Sequence, residues 1–434
     1  MSICGKQAKH HNMSIEDNNG YKRWIATWSG DDCSLDLHAE GEIKFNADAT
    51  DIQSISSGGY LEVNERQGAM LRQIKVTSSA SGLQYVFTVN GKQQPMDGDA
   101  KTWFSTFLLA LERNTGFAAD ARVPALLAKG GPSAVLDEIS NLQSDYVRGI
   151  YFRKLLEQPK LPAPVVQRVI KQAGEQIRSA YELARVLMTV SKQYDLPDEA
   201  SRTAFLTATG KLKSDYEHAR VLIELLKRPN ISRENIRMAL DSAVGIKGDY
   251  EKSRILLTLV EHNTFDATGA SSYLKLAATM HGDYEKSRCL TKLIDHHKLD
   301  EAGLMAYLNM VATLRNDYEK SVSLIEVSGA GLGESGVNSY LNAINSMNTD
   351  HERLRSLDAL IERGNLGKNS VNKLLEAAAH MGSDFEKSRA LIAVAQKYPM
   401  EGTARDNYIK AAESIHSEYE RNHALAAVVR RATL

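Results

Sequence analysis

Between residues 21 and 96 apolar side chains recur at every second position. Cys33, Leu35, Leu37 and Ala39 alternate with polar neighbours, and so do Tyr85, Phe87 and Val89. A period of two sends successive side chains to opposite faces, which predicts half-buried antiparallel strands. Strands are expected around residues 24–28, 33–38, 42–45, 60–64, 71–77 and 83–90, in a meander, with Gly58-Gly59 and Asn90-Gly91 at tight turns. The period changes at Asp97, a helix-capping residue. Beyond it Phe104, Phe107, Leu108 and Leu111 share one helical face, wide enough to cover one side of a sheet. Residues 1–20 show neither period and are expected to form a disordered tail.

After Gly116 the pattern is that of paired helices, and it repeats. The heptapeptide GDYEKSR stands at Gly248 and again at Gly282, and variants of it begin at residues 144, 179, 214, 316, 349, 383 and 417. Every step is 33 to 35 residues. Self-similarity at that period marks stacked helix pairs, each burying its apolar face against its neighbours. The signature is helix-start chemistry. Ser214 with Glu217, Thr349 with Glu352, Ser383 with Glu386 and Ser417 with Glu420 have capping-box spacing, and the Asp after the cap lies where a helix N-terminus favours a carboxylate. Residues 118–143, broken by Gly130-Gly131, lack the signature and are expected to form a capping hairpin. The predicted domains are therefore a tail (1–20), a small β-meander with a covering helix (21–117) and a mainly α, right-handed α-solenoid of about nine units (118–434).

Two columns of side chains follow from the repeat. In the first helix of each unit the ring residues (Tyr146, Tyr181, Tyr216, Tyr250, Tyr284, Tyr318, His351, Phe385 and Tyr419) are followed three residues later by small ones and four later by Arg. The pairs Asp215 and Arg220, Asp249 and Arg254, Asp283 and Arg288, and Asp384 and Arg389 are expected to form a structural ladder between repeats, with the ring packed inside. A phosphate-binding groove helped by Lys252, Lys286, Lys320 and Lys387 is disfavoured, since each DYEKSR unit carries equal numbers of acids and bases. In the second helices Tyr273, Tyr307 and Tyr340 stand beside a polar, variable column of Asp241, Lys275, Asn309, Asn342, Glu376 and Lys410. Second helices of curved solenoids line the concave wall, so these nine residues are the expected partner-binding surface.

Composition narrows the partner. Lys and Arg number 53 against 54 Asp and Glu, and residues 1–115 hold 11 against 14, so neither half has the charge of a nucleic-acid binder. Three cysteines, Cys4, Cys33 and Cys289, lack metal spacing and point to neither a disulfide framework nor a zinc site. No apolar run approaches the length of a membrane span. Gly331, Gly333 and Gly336 match a dinucleotide-binding fingerprint, but they link two helices and follow no strand. No cofactor is expected.

The period and the repeated Asp and Arg resemble HEAT solenoids more than tetratricopeptide ones, whose Trp, Leu-Gly and closing Pro are missing. A likeness of wider extent rests on ISSGGYLEVNERQG at Ile55, VNGKQQPMD at Val89, LLAKGGPSAVLDEISNLQSDYVRGIYFRKLL at Leu126 and the DYEKSR array. Together these resemble the repeat-bearing tails of bacterial envelope proteins, including those fused to antirepressor-type membrane metallopeptidases. The resemblance implies a bacterial, extracytoplasmic protein and lends no catalytic residue, because the chain has no HExxH helix; separately, Cys4 followed by Gly5 and a polar tether would suit a lipid anchor. The expected function is a non-catalytic scaffold or adaptor for a protein or peptide. The alternatives are a self-assembling envelope element, joined through the half-repeat at the C-terminus, and a solenoid-fold enzyme.

Overall fold

A computed structural model describes residues 10–18, 21–159 and 161–431, and the chain divides into two compact units, 1–208 and 209–434. The division lies inside the helical array rather than after residue 117.

Among the described residues of the first unit, nine antiparallel strands form a seven-stranded sheet of order β1-β2-β3-β6-β7-β8-β9 and a separate β4-β5 pair. The strands are β1 (His10–Asn18), β2 (Tyr21–Ser29), β3 (Cys33–Glu40), β4 (Ile43–Phe45), β5 (Ile52–Ile55), β6 (Tyr60–Gln67), β7 (Met70–Ser79), β8 (Gly82–Val89) and β9 (Lys92–Gln94). All six predicted strands are present, and the connections are those of a meander with one inserted hairpin. Part of the expected tail is corrected. His10–Asn18 pairs antiparallel with β2 along its whole length, from His10 opposite Ser29 to Asn18 opposite Tyr21. Its weak apolar pattern concealed a strand whose backbone is satisfied by its neighbour. The remainder of the expected tail, with Cys4, lies outside the described residues. Cys33 is disulfide-bonded, which corrects the expectation drawn from cysteine spacing, and Cys289 is a buried free thiol.

The alternation of β3 buries Leu35, Leu37 and Ala39, and they meet Leu61, Val63, Ile74, Val76 and Phe87 in one core. Helix α1 (Gly98–Thr115) covers that core with Phe104, Phe107, Leu108 and Leu111. Asp97 caps it by accepting from the amides of Asp99 and Ala100, and Gly116 ends it at φ 68°, a left-handed conformation that glycine adopts without a Cβ clash. Helix α2 (Ala119–Ile139) is two helical segments bent at Gly130-Gly131, where Gly131 has φ 65°.

Seventeen further helices follow. In the first unit they are α3 (Asp145–Leu156), α4 (Ala163–Gln176), α5 (Ala180–Gln193) and α6 (Glu199–Thr209). In the second unit the first helices of the pairs are α7 (Asp215–Leu226), α9 (Asp249–His262), α11 (Asp283–His296), α13 (Asp317–Val327), α15 (Asp350–Arg363), α17 (Asp384–Lys397) and α19 (Glu418–Arg431). Their companions are α8 (Arg233–Ala243), α10 (Ala267–Ala278), α12 (Glu301–Ala312), α14 (Glu334–Asn345), α16 (Lys368–Ala379) and α18 (Thr403–Glu413). Within this unit odd helices pack on odd and even on even, so the pairs stack into two layers. This is the helical solenoid that the repeat predicts.

Candidate functional site

The repeat signature distributes its side chains differently from the expected ladder. Each Asp at the first position of an odd helix accepts two hydrogen bonds from backbone amides of the next pair. Asp249 Oδ2 accepts from the amides of His281 (2.8 Å) and Gly282 (2.7 Å), and Asp283 Oδ2 from those of Arg315 and Asn316 (both 2.7 Å). Asp215 does the same to Lys247 and Gly248, Asp317 to Asn348 and Thr349, Asp350 to Gly382 and Ser383, and Asp384 to His416 and Ser417. Those two backbone bonds hold the Asp384 carboxyl below the usual carboxylate range. The inter-repeat ladder therefore exists, but its second partner is backbone.

The arginines are not part of it. Arg220, Arg254 and Arg288 pair with Glu217, Glu251 and Glu285, three residues back in the same helix, at 2.9, 2.9 and 3.5 Å. Each also lies over its own ring, with Arg220 5.5 Å from the Tyr216 centroid and Arg288 5.7 Å from that of Tyr284. Arg389 lies likewise over Phe385. Arg254 stands between two successive rings, 5.8 Å from Tyr250 and 5.9 Å from Tyr216. Where Val322 replaces the arginine of α13, Arg355 of the next odd helix covers Tyr318 at 5.6 Å.

The rings themselves are exposed, which reverses the expectation that they are packed inside. Tyr216, Tyr250, Tyr284, Tyr318, Phe385 and Tyr419 keep between 52% and 75% of their surface. Each is the second residue of its helix, in the first turn. The lysines take the buried place. Lys252 donates to the Thr279 carbonyl (3.2 Å), Lys320 to Ser346 Oγ (2.8 Å) and Lys387 to Ser414 Oγ (3.2 Å), each just past the C-terminus of the companion helix. A cation there meets the negative end of the helix dipole. Burial lowers the Lys320 ammonium from its ordinary value.

The expected partner-binding surface is half corrected. Tyr273, Tyr307 and Tyr340 are fully buried, and their hydroxyls donate to the carbonyls of Cys289 (2.9 Å), Ser323 (2.8 Å) and Ser356 (2.7 Å) in the following odd helix. These tyrosines are core anchors, out of a partner's reach. The polar column of Asp241, Lys275, Asn309, Asn342, Glu376 and Lys410 is exposed along the even layer. It has no shared chemistry from one unit to the next, whereas the ring column presents an aromatic side chain over an arginine again and again.

In the first unit the arrangement at α1 is of another kind. Glu112 is buried, accepting from the Tyr151 hydroxyl and the Ala118 amide (both 2.5 Å), and burial pushes its carboxyl up to about 7. Buried Arg122 donates to Glu138 (3.0 Å) and to the Asp48 carbonyl (2.5 Å), and Arg113 forks onto the same Glu138. This network joins the β4-β5 loop, α1, α2 and α3. Beside it a cavity of about 320 Å³ opens between the sheet and the α1–α2 junction, lined by Trp24, Leu37, Phe45, Leu61, Leu111 and Phe117 among others. Phe117 meets Trp24 and Phe45 edge-on at 5.0 and 4.3 Å. Sequence reasoning missed this cavity, because its walls come from five separate segments.

Among the described residues no group of three or more His, Cys, Asp or Glu is placed to hold a metal ion, and no helix is long and apolar enough to cross a membrane. Fold and surface together define a helical-repeat solenoid preceded by an antiparallel β-module. No protein-family model matches the chain, and no curated protein matches it either.

Proposed function

We propose that the protein is a non-catalytic scaffold that binds another protein through the odd-helix face of its solenoid. The observation that carries this reading is the run of exposed rings from Tyr216 to Tyr318, each with an arginine over it. Protein interfaces are enriched in tyrosine and arginine, which supply most of the residues that dominate binding energy. An aromatic run left in water without a partner is a cost with no structural return, since the fold is held by the Asp rungs and the buried tyrosines. The placement in a bacterial envelope rests on the segments at Ile55, Val89 and Leu126 and on the array alone, and cell fractionation tests it.

Affinity capture with three forms of the full chain tests the interface. A variant with Tyr216, Tyr250, Tyr284 and Tyr318 all changed to Ser is expected to lose a partner that the parent captures. Replacing Lys275, Asn309 and Asn342 by Glu on the even layer is expected to leave capture unchanged. The opposite pattern would move the site to the even layer and overturn the odd-face assignment.

A further inference from the structure

We infer that the occupant of the odd-helix face is a proline-rich segment in the polyproline II conformation, with a proline at every third residue. This rests on the scaffold reading and names the partner's chemistry. Three features of the second unit point to it.

The first is spacing. The rings of α7, α9, α11 and α13 occupy the same helical position in successive packed helices, and packed helices stand about 8–10 Å apart. A polyproline II strand advances about 9.3 Å in the three residues of one turn. One face of such a strand therefore meets a new ring at each turn. A β-strand, with same-face residues roughly 6.6 Å apart, would fall out of step within two rings.

The second is the chemistry between the rings. A polyproline II backbone makes no internal hydrogen bonds and leaves its carbonyls open as acceptors. The face presents donors: tyrosine hydroxyls on the exposed rings, and guanidinium groups with N–H groups beyond the one given to glutamate. Arg254, between Tyr216 and Tyr250, is placed to donate while the rings pack against pyrrolidines.

The third is charge. In α7, α9 and α11 the Asp is occupied by backbone amides and the Glu by the arginine, while α13 keeps its Asp rung and has Val322 in place of the arginine. The lysine that would make the face cationic is buried. The face is thus neither an anion site nor a cation site, and a neutral, carbonyl-rich strand complements it better than a phosphorylated or polyacidic one. The run of four tyrosines sets the length at about twelve residues.

The test uses the full chain and two synthetic twelve-residue peptides of one composition, each with four prolines, set at every third position in the first and unevenly in the second, titrated by fluorescence anisotropy. The every-third peptide is expected to bind at least about tenfold more tightly. The variant Tyr250→Ser with Tyr284→Ser, at exposed positions that leave the core intact, is expected to lose about tenfold or more. Tyr250→Phe, which keeps the ring and removes one donor, is expected to lose less. Equal affinity for the two peptides, no saturable binding of either, or binding indifferent to the double variant overturns the inference. So does preferential binding of a β-1,4-linked oligosaccharide, tested as a second probe because its disaccharide repeat also presents flat faces to rings. If the peptides fail while the four-serine variant still loses its captured partner, the scaffold reading stands and the polyproline II assignment falls.

Discussion

Two tyrosines of the repeat array, one from each layer, have opposite fates, and the difference lies in what each side chain can reach. Tyr250, in the first turn of its helix, is exposed; Tyr307 sits mid-helix and donates to a carbonyl of the following odd helix. Tyr307→Ala is expected to cost about 3–5 kcal/mol through the cavity it leaves, and Tyr307→Phe about 0.5–1.5 kcal/mol through the lost hydrogen bond, read by chemical denaturation. Tyr250→Ala and Arg254→Ala are each expected to stay under about 1 kcal/mol, as exposed rings and surface ion pairs do. Asp249→Ala is expected to cost about 1–3 kcal/mol, because two amides lose a charged acceptor. If Arg254→Ala proved the costlier of the last two, the arginine would belong to the ladder after all. The sequence showed that Asp, ring and Arg recur together. It did not show which of them faces water, because the acceptor role of Asp is completed by backbone amides, which have no letter in the sequence.

At the scale of the element, period did most of the predicting. Alternation located β2, β3, β6, β7 and β8, and the change of period at Asp97 located α1 with its cap. What it missed were β1, β5 and β9. Their residues carry little apolar alternation, and they exist because a neighbouring strand satisfies their backbone. The network around Glu112 was equally hidden, since its members are scattered over α1, α2 and α3. It makes a prediction of its own. Burial raises the folded-state carboxyl to about 7 from its ordinary value of 4.5, so the folded state favours the protonated acid. The stability this provides is present at low pH and is lost as pH rises from about 4.5 through about 7, an effect on the order of 3 kcal/mol. Glu112→Gln, which keeps an acceptor for Ala118 and carries no charge, is expected to flatten that slope between pH 5 and pH 8. An unchanged slope in thermal melts would mean that another group is responsible.

At the scale of the whole molecule, the repeat was legible as architecture and opaque as function. The period predicted stacked helix pairs, and the structure stacks them in two layers, each pair touching its neighbours. Stability in such an array is close to a sum of unit and nearest-neighbour contributions. Alanine at Asp249 and Asp283, on adjacent rungs, is therefore expected to depart from additivity, whereas alanine at Asp215 and Asp384, far apart, is expected to add within about 0.5 kcal/mol. A double-mutant cycle in denaturant measures both. The balanced composition, 53 basic against 54 acidic residues, disfavoured a polyanion as partner and said nothing of which layer a partner would meet.

The Asp rung has one further consequence, and it concerns ancestry. In the second unit the positions that receive it are Lys247-Gly248, His281-Gly282, Arg315-Asn316, Asn348-Thr349, Gly382-Ser383 and His416-Ser417, of which the first varies widely and the second is always a small helix-capping residue. Any residue except proline has the amide that is needed. A gene segment encoding one unit could thus be duplicated or excised and still find a compatible joint on either side, with no second change to match. Such a chain is free to drift in length faster than in sequence, as a zip tolerates the loss of a tooth pair but not of its pitch. Excising residues 283–316, one whole unit, should leave a shorter protein that still melts cooperatively; collapse of that form into an unfolded chain would show that the joints are less interchangeable than their geometry implies.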